Sequence, residues 1–279
     1  MLSESVKVKI LFLSLLDFTN IEEHNIYTDL LREFRKHGHE LYIISPVERR
    51  HHKKTYVIRD NNVIILKLKT GNIQKTNFIE KGISTLTIES CFVNGIKKYF
   101  SNVKFDLVLY STPPITFYKA IAYVKKRDKA NTYLMLKDIF PQNAVDLGIL
   151  KKTGLKGILY RYFRKKEKNL YAISDKIGCM SQANVDYVLK HNSEIKKEKV
   201  EICPNSIEVV DRSVSDEEKR AIRKKYGIPN DRIVFVYGGN LGKPQGIDFL
   251  IECLKKEKEN KKAFFLIVGS GTEYGEIED

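Results

Sequence analysis

Apolar and polar positions along this chain recur with two periods, and the switches between them outline its elements. Residues 8–14 form a mainly apolar run of strand length, interrupted by Lys9. Tyr27, Leu30, Leu31 and Phe34 then fall at i, i+3, i+4 and i+7, one face of a helix. His37-Gly38 supplies the stop signal. Residues 41–45 and 63–68 read as further strands, separated by a polar, His- and Lys-rich stretch over 49–62. A long helical pattern at 83–100 leads to a strand at 106–110, a helix at 115–126 and a strand at 132–136. A basic helix over 155–170 follows, and short strands at 177–180 and 200–203 flank a helix at 182–190. Several strands are apolar along their whole length, the signature of a parallel sheet covered on both faces. Residues 1–206 are therefore expected to form one doubly wound α/β domain.

Beyond residue 206 the pattern changes. Residues 211–227 are rich in charge and read as a linker with a short helix. The apolar run at 233–237 breaks at Gly238-Gly239, a helical pattern resumes at Ile247, and a second strand at 263–268 ends in Gly269-Ser270-Gly271. Strand, glycine loop, helix, strand, glycine loop is the opening of a nucleotide-binding βαβ unit. Asp279 falls before such a domain would close, so residues 207–279 are expected to be a linker and the first part of a second domain.

Composition narrows the partners. A net charge of +14 favours polyanions: nucleic acid, phosphorylated small molecules or anionic lipid headgroups. Cys91, Cys179, Cys203 and Cys253 form no C-x-x-C pair or zinc spacing and read as reduced thiols of a cytosolic protein. The longest apolar run, 10–16, is far short of the roughly 20 residues a membrane span needs, and no signal-peptide cleavage site follows it. A cytoplasmic location is expected, with any membrane contact peripheral.

Ligands of open α/β sheets bind outside the C-terminal ends of the strands. Four loops there stand out: 14–20, 111–114, 137–142 and 238–246. In the last, glycines let backbone N–H groups approach a phosphate ahead of a helix N-terminus, and Lys243 adds a charge; a bare strand-to-helix turn is the alternative. Lys137 and Asp138 set a base beside an acid at a strand end, where a carboxylate can orient or accept a proton from a hydroxyl; a helix cap or surface ion pair is the alternative. Ser111, Thr112 and Pro113 line an acceptor cleft or simply end a strand. In the helix at 155–170, Leu155, Ile158, Leu159, Tyr162 and Phe163 share one face, and Arg161, Arg164, Lys165 and Lys168 the other. That is a contact for anionic lipid or a core-facing stripe with a solvated basic back. The histidines show no H-x-x-x-H pattern, so no metal site is expected.

Taken in series, these motifs resemble the GT-B fold glycosyltransferases of glycosyltransferase family 4, in particular bacterial enzymes that build surface polysaccharides. The residues that carry the resemblance are KILFLS, the stretch from His24 to Gly38-His39-Glu40, DLVLYSTPP, KDIFPQNAVDLGIL, ISDKIGCMSQ ending at Ser181, ICPNSIE and YGGNLGKPQGIDFLIEC. The resemblance implies retaining transfer of a hexosyl or N-acetylhexosaminyl group from a nucleotide-diphosphate donor, with no metal or other cofactor. The acceptor, a lipid-linked saccharide, would sit on the first domain and the donor on the second. Asp138, with Lys137, would lie at the reaction centre. Gly238, Gly239, Asn240, Lys243, Gln245 and Gly246 would line the diphosphate, with Gly269, Ser270 and Gly271 near the nucleotide. Ser111, Thr112, Pro113 and Asn205 would face the acceptor. Asn240 and Gln245 stand where many family members have Arg and Lys, and Phe140 and Gln142 where a Trp and an acid are usual. The family's paired-glutamate motif would fall beyond Asp279. An alternative is therefore a catalytically incomplete fragment or a subunit that needs a partner chain. Nucleic-acid binding is motivated by charge alone, since no motif or stacking pattern accompanies it.

Overall fold

A computed structural model describes residues 6–72 and 78–278 and divides the chain into two compact units, Met1–Glu208 and Val209–Asp279. In the first unit β1 (Lys9–Leu13), α1 (Thr28–Lys36), β2 (Glu40–Glu48), β3 (Tyr56–Asp60) and β4 (Val63–Thr70) form one half of the sheet. The other half is built from α2 (Phe78–Tyr99), β5 (Leu107–Thr112), α3 (Tyr118–Asp128), β6 (Asn131–Leu136), α4 (Gln142–Asp146), α5 (Gly154–Ile173), β7 (Lys176–Cys179), α6 (Gln182–His191) and β8 (Val200–Ile202). The strand order is β3-β4-β2-β1-β5-β6-β7-β8.

Every pairing in this sheet is parallel except β3 with β4, which runs antiparallel from Tyr56 opposite Lys67 to Asp60 opposite Val63. The stretch 49–62 reads as polar and His- and Lys-rich in the sequence. Its second half is a strand because Tyr56, Val57 and Ile58 half-bury themselves at the sheet edge, where polar neighbours are tolerated. Side chains alternate across β1. Ile10 and Phe12 join Leu31 of α1 on one face; Leu11 and Leu13 join α2, α3, α5 and α6 on the other through Phe92, Ile121, Leu170 and Val188. Gly38, at φ 83°, ends α1 as its sequence predicted.

The second unit comprises α7 (Asp216–Lys225), β9 (Ile233–Asn240), α8 (Ile247–Lys256), β10 (Ala263–Ser270) and α9 (Tyr274–Glu278). Ser215 caps α7 in a capping box with Glu218. β9 and β10 pair in parallel, from Ile233 opposite Ala263 to Asn240 opposite Ser270. Gly238, Gly239, Asn240, Gly269 and Ser270 therefore belong to strand ends rather than to loops. The ladder continues through the glycines because the two backbones approach closely there. A Cβ on Gly269 would lie 2.1 Å from the Gly239 carbonyl oxygen, and one on Gly271 2.0 Å from that of Leu241. Phe235, Val236, Phe249 and Val268 of this unit are exposed.

Candidate functional site

The sheet has a switch point beside β1. From β1 the chain moves outward to β2 and β4, and α2 then carries it back to β5 on β1's other flank. Crevices at such reversals, outside the strand C-termini, are where open α/β sheets hold ligands. The loops after β1 and β5 border this one, with the loop after β6 next to them.

The loop after β1 is fastened from below. Ser45 Oγ accepts the Phe18 N–H at 2.8 Å and donates to the Leu16 carbonyl at 2.7 Å. Lys67, 1% exposed, reaches up from β4 to donate to Ser45 Oγ at 2.7 Å and to the Asp17 carboxylate. Burial pulls this ammonium below the ordinary lysine range, and Asp17 opposes the shift. Apolar periodicity alone passes over Lys67; a lysine interrupting the run VIILKLKT is the signal that could have found it.

Ser111 and Thr112 were expected in a loop facing the acceptor. Both lie in β5 and are buried, because β5 stays paired with β6 as far as Thr112 opposite Leu136. Thr112 Oγ1 is committed to the neighbouring loop: it accepts the N–H of Lys137 at 3.2 Å and donates to the Asp138 carbonyl at 3.1 Å. Pro113 is exposed, as is Asn205 beyond β8. The Asp138 side chain is exposed at the edge of the loop, and partial desolvation raises its carboxyl above the ordinary range. It is neither a helix cap, since α4 starts at Gln142 behind Pro141, nor part of an ion pair among the described residues. Lys137 is half-buried, and burial lowers its ammonium while Cys203 opposes that shift.

The first turns of α5 do not carry a core-facing stripe. Leu155 is 87% and Ile158 58% exposed, and Leu159 and Tyr162 are exposed with them. The helix docks instead through Phe163, alone of the expected stripe, through Leu170 and Tyr171 of its last turns, and through Glu167, which is buried and receives Arg164 and the Tyr171 hydroxyl. Lys151, Lys152, Lys156 and Lys165 lie around the exposed stripe.

In the second unit, a Cβ on Gly238 or Gly239 would meet nothing within 4 Å, so these backbones are open to an approaching group. Asn240 Nδ2 donates to Gln245 Oε1 at 2.8 Å, closing the short 3-10 turn Lys243–Gln245 in front of α8. Gly246, at φ 66°, turns the chain into α8. Lys243 is exposed on this turn. Gly269 and Gly271, in contrast, have a packing reason of their own in the contacts with Gly239 and Leu241. Among the described residues no group of three His, Cys, Asp or Glu side chains gathers to a metal-binding arrangement, and no helix is long and apolar enough to cross a membrane.

The architecture is an α/β fold of the GT-B type. No family model matches the sequence. The chain is 26% identical over 203 residues to the probable glycosyltransferase WbjE of Pseudomonas aeruginosa, covering 71% of this chain and 47% of that protein. It is 23% identical over 167 residues to the putative colanic acid biosynthesis glycosyl transferase WcaI of Escherichia coli, covering 60% and 40%. The chain thus spans about half the length of the curated relatives it matches. Among solved structures, an E. coli trehalose-6-phosphate protein bound with UDP-2-fluoro glucose superposes with a TM-score of 0.63 at 8% identity, over 97% of this chain and 67% of that one. Anabaena HepE in complex with UDP and glucose superposes at 0.58 and 15%, over 97% and 63%. A UDP-GlcNAc 2-epimerase from Neisseria meningitidis, bound to UDP-GlcNAc, superposes at 0.54 and 13%, over 93% and 64%. At these identities the structural likeness concerns the fold alone.

Proposed function

We propose that the protein is a retaining glycosyltransferase of glycosyltransferase family 4 that moves a hexosyl or N-acetylhexosaminyl group from a UDP-sugar to a lipid-linked saccharide in surface-polysaccharide synthesis. The observation that carries this reading is the open backbone of Gly238 and Gly239 at the end of β9, the strand that leads through the Lys243–Gln245 turn into α8. Backbone N–H groups, the helix N-terminus and Lys243 there suit a diphosphate whose charge grows as the sugar leaves. In this reading residues 209–279 hold the donor, with Asn240 and Gln245 shaping the turn and Gly269-Ser270-Gly271 near the nucleotide. Residues 1–208 hold the acceptor, with Pro113 and Asn205 at its edge.

The donor C1–O bond to the diphosphate breaks, the bond from the acceptor oxygen to C1 forms, and the hydroxyl proton is taken up by the departing diphosphate. Asp138 orients that hydroxyl, and Thr112 and Lys137 keep its loop in place. No metal is assigned a part, because a cation, backbone amides and a helix end already answer the leaving charge. The exposed stripe at the start of α5, ringed by lysines, supports peripheral contact with the anionic inner face of a membrane, where a lipid-linked acceptor resides.

Incubation with UDP-sugars and a lipid-diphosphate-linked saccharide should move radiolabel into the lipid phase; no transfer from any common donor counts against the reading. The apolar residues exposed on the second unit favour a second reading, in which that unit works only when covered by further polypeptide, in cis or as a separate subunit. Intact mass of the native complex separates these cases.

A further inference from the structure

The buried lysine of β4 does more than fasten the loop after β1. Ser45 Oγ alone holds that loop's backbone, accepting the Phe18 N–H at 2.8 Å and donating to the Leu16 carbonyl at 2.7 Å. Lys67, 1% exposed, donates to the same hydroxyl at 2.7 Å and fills its remaining acceptor position. Its other hydrogen bond goes to Asp17 Oδ1. An ammonium withdrawn from water into a parallel sheet is destabilising unless it is paired. An apolar residue at 67 would continue the run VIILKLKT, and the Ser45 bonds to the loop do not depend on the lysine. What Lys67 adds is the orientation of one carboxylate.

Asp17 stands on the loop that borders the switch-point crevice, and its side chain is 61% exposed. Among the described residues no group besides Lys67 hydrogen-bonds or pairs with this carboxylate, which leaves Oδ2 without a protein partner. Its neighbour Phe18 is buried and anchors the loop, while Leu16 is exposed beside it. The ligand class follows from charge. Lys67 already neutralises the carboxylate, so the pair attracts a further cation weakly, and among the described residues no other acid, His or Cys joins it in a metal-binding group. The exposed member of the pair is the acid, which suits no phosphate. Neutral hydroxyl donors suit it: an O–H bond to a carboxylate is charge-assisted, and a carboxylate already held in place loses little rotamer freedom on making it.

We infer that Asp17, oriented by Lys67, is a specificity-determining residue that accepts non-reacting hydroxyl groups of the acceptor saccharide. The inference rests on the glycosyl-transfer reading, which assigns the acceptor to the first unit and its reacting hydroxyl to Asp138.

The test is titration of the whole protein with the methyl glycosides of glucose, galactose, mannose, rhamnose and N-acetylglucosamine, read by saturation-transfer NMR. At least one glycoside should bind. The double variant Lys67→Met/Asp17→Asn removes the charge pair as a whole and should keep the wild-type melting temperature. Its dissociation constant for that glycoside should nonetheless rise about tenfold or more, with UDP affinity unchanged. Lys67→Met keeps the carboxylate but frees it, and should weaken glycoside binding roughly threefold or more. A double variant that binds the glycoside like the wild type overturns the inference, because Asp17 would then serve only as a counter-ion. Unchanged affinity in Lys67→Met overturns it too, because the lysine would not orient Asp17. A wild-type protein that binds none of the glycosides while moving radiolabel into lipid would reject the inference and leave the transferase reading standing. A tenfold loss in the double variant of a protein that transfers no sugar would uphold the carboxylate site and reject that reading.

Discussion

Thr112 Oγ1 donates to the Asp138 carbonyl at 3.1 Å while accepting the Lys137 N–H at 3.2 Å, so one buried hydroxyl at the end of β5 fixes the loop at the end of β6. Thr112→Val keeps the shape and removes these bonds together with a longer one, from the Asp138 N–H at 3.4 Å. The part-buried backbone groups left behind should cost about 0.5–1.5 kcal/mol of stability. Thermal melts and steady-state kinetics should show a lowered melting temperature and a lower kcat at unchanged donor KM, with Thr112→Ser recovering both.

Asp138 supports the opposite sign for stability. Desolvation raises its folded-state pKa, so its contribution is fully present below the unfolded carboxylate range and is lost as pH rises through the folded value. At neutral pH the ionised group therefore works against the fold. Asp138→Asn should leave the melting temperature at pH 7 unchanged or higher, and should lower transfer by about a hundredfold because the acceptor hydroxyl loses the carboxylate that orients it. A parallel fall in stability and activity would make Asp138 structural.

Asp29 behaves in the usual carboxylate way. The Glu208 amide, donating at 2.8 Å, and then Arg32 hold its carboxyl below the ordinary range against the effect of burial. That stability is present above the unfolded pKa and is lost as pH falls through the folded one. Melting temperature should therefore drop on acidification below the ordinary carboxylate range, and the drop should be shallower in Asp29→Asn, which starts from a lower plateau at pH 7.

The glycines of the second unit separate into two kinds. Gly238→Ala enters open space and should fold normally while weakening UDP-sugar binding about tenfold, roughly 1.4 kcal/mol. Gly269→Ala would drive a methyl group against the Gly239 carbonyl and should destabilise the unit whether or not donor is present. Calorimetric binding and melts of the two variants distinguish a ligand-facing glycine from a packing one.

On α5, Leu155→Asp together with Ile158→Asp removes two exposed apolar side chains worth about 1.5–3 kcal/mol each if they enter a bilayer. Sedimentation with phosphatidylglycerol vesicles should fall by a hundredfold or more, with the melting temperature unchanged.

Much of this architecture is legible in the sequence, because buried parallel strands such as 10–13 and 133–136 are apolar throughout and leave little ambiguity. Edge elements are less legible. β3 is half-polar, as an edge tolerates, so its composition reads as loop. The stripe at Leu155 and Ile158 shows why periodicity identifies a helix without saying what its face meets: a core and a membrane demand the same residues. Thr112 shows the limit at the candidate site. A hydroxyl beside a proline loop suggests a ligand contact, and only the register of β5 with β6 reveals that its partners lie within the protein.

The most direct measurement is product analysis after incubation of the native protein with radiolabelled UDP-sugars and a lipid-diphosphate-linked saccharide. The account predicts label in the lipid phase, with one UDP released per sugar transferred and the anomeric configuration of the donor retained. Epimerised or hydrolysed UDP-sugar, with no label in the lipid, would contradict it.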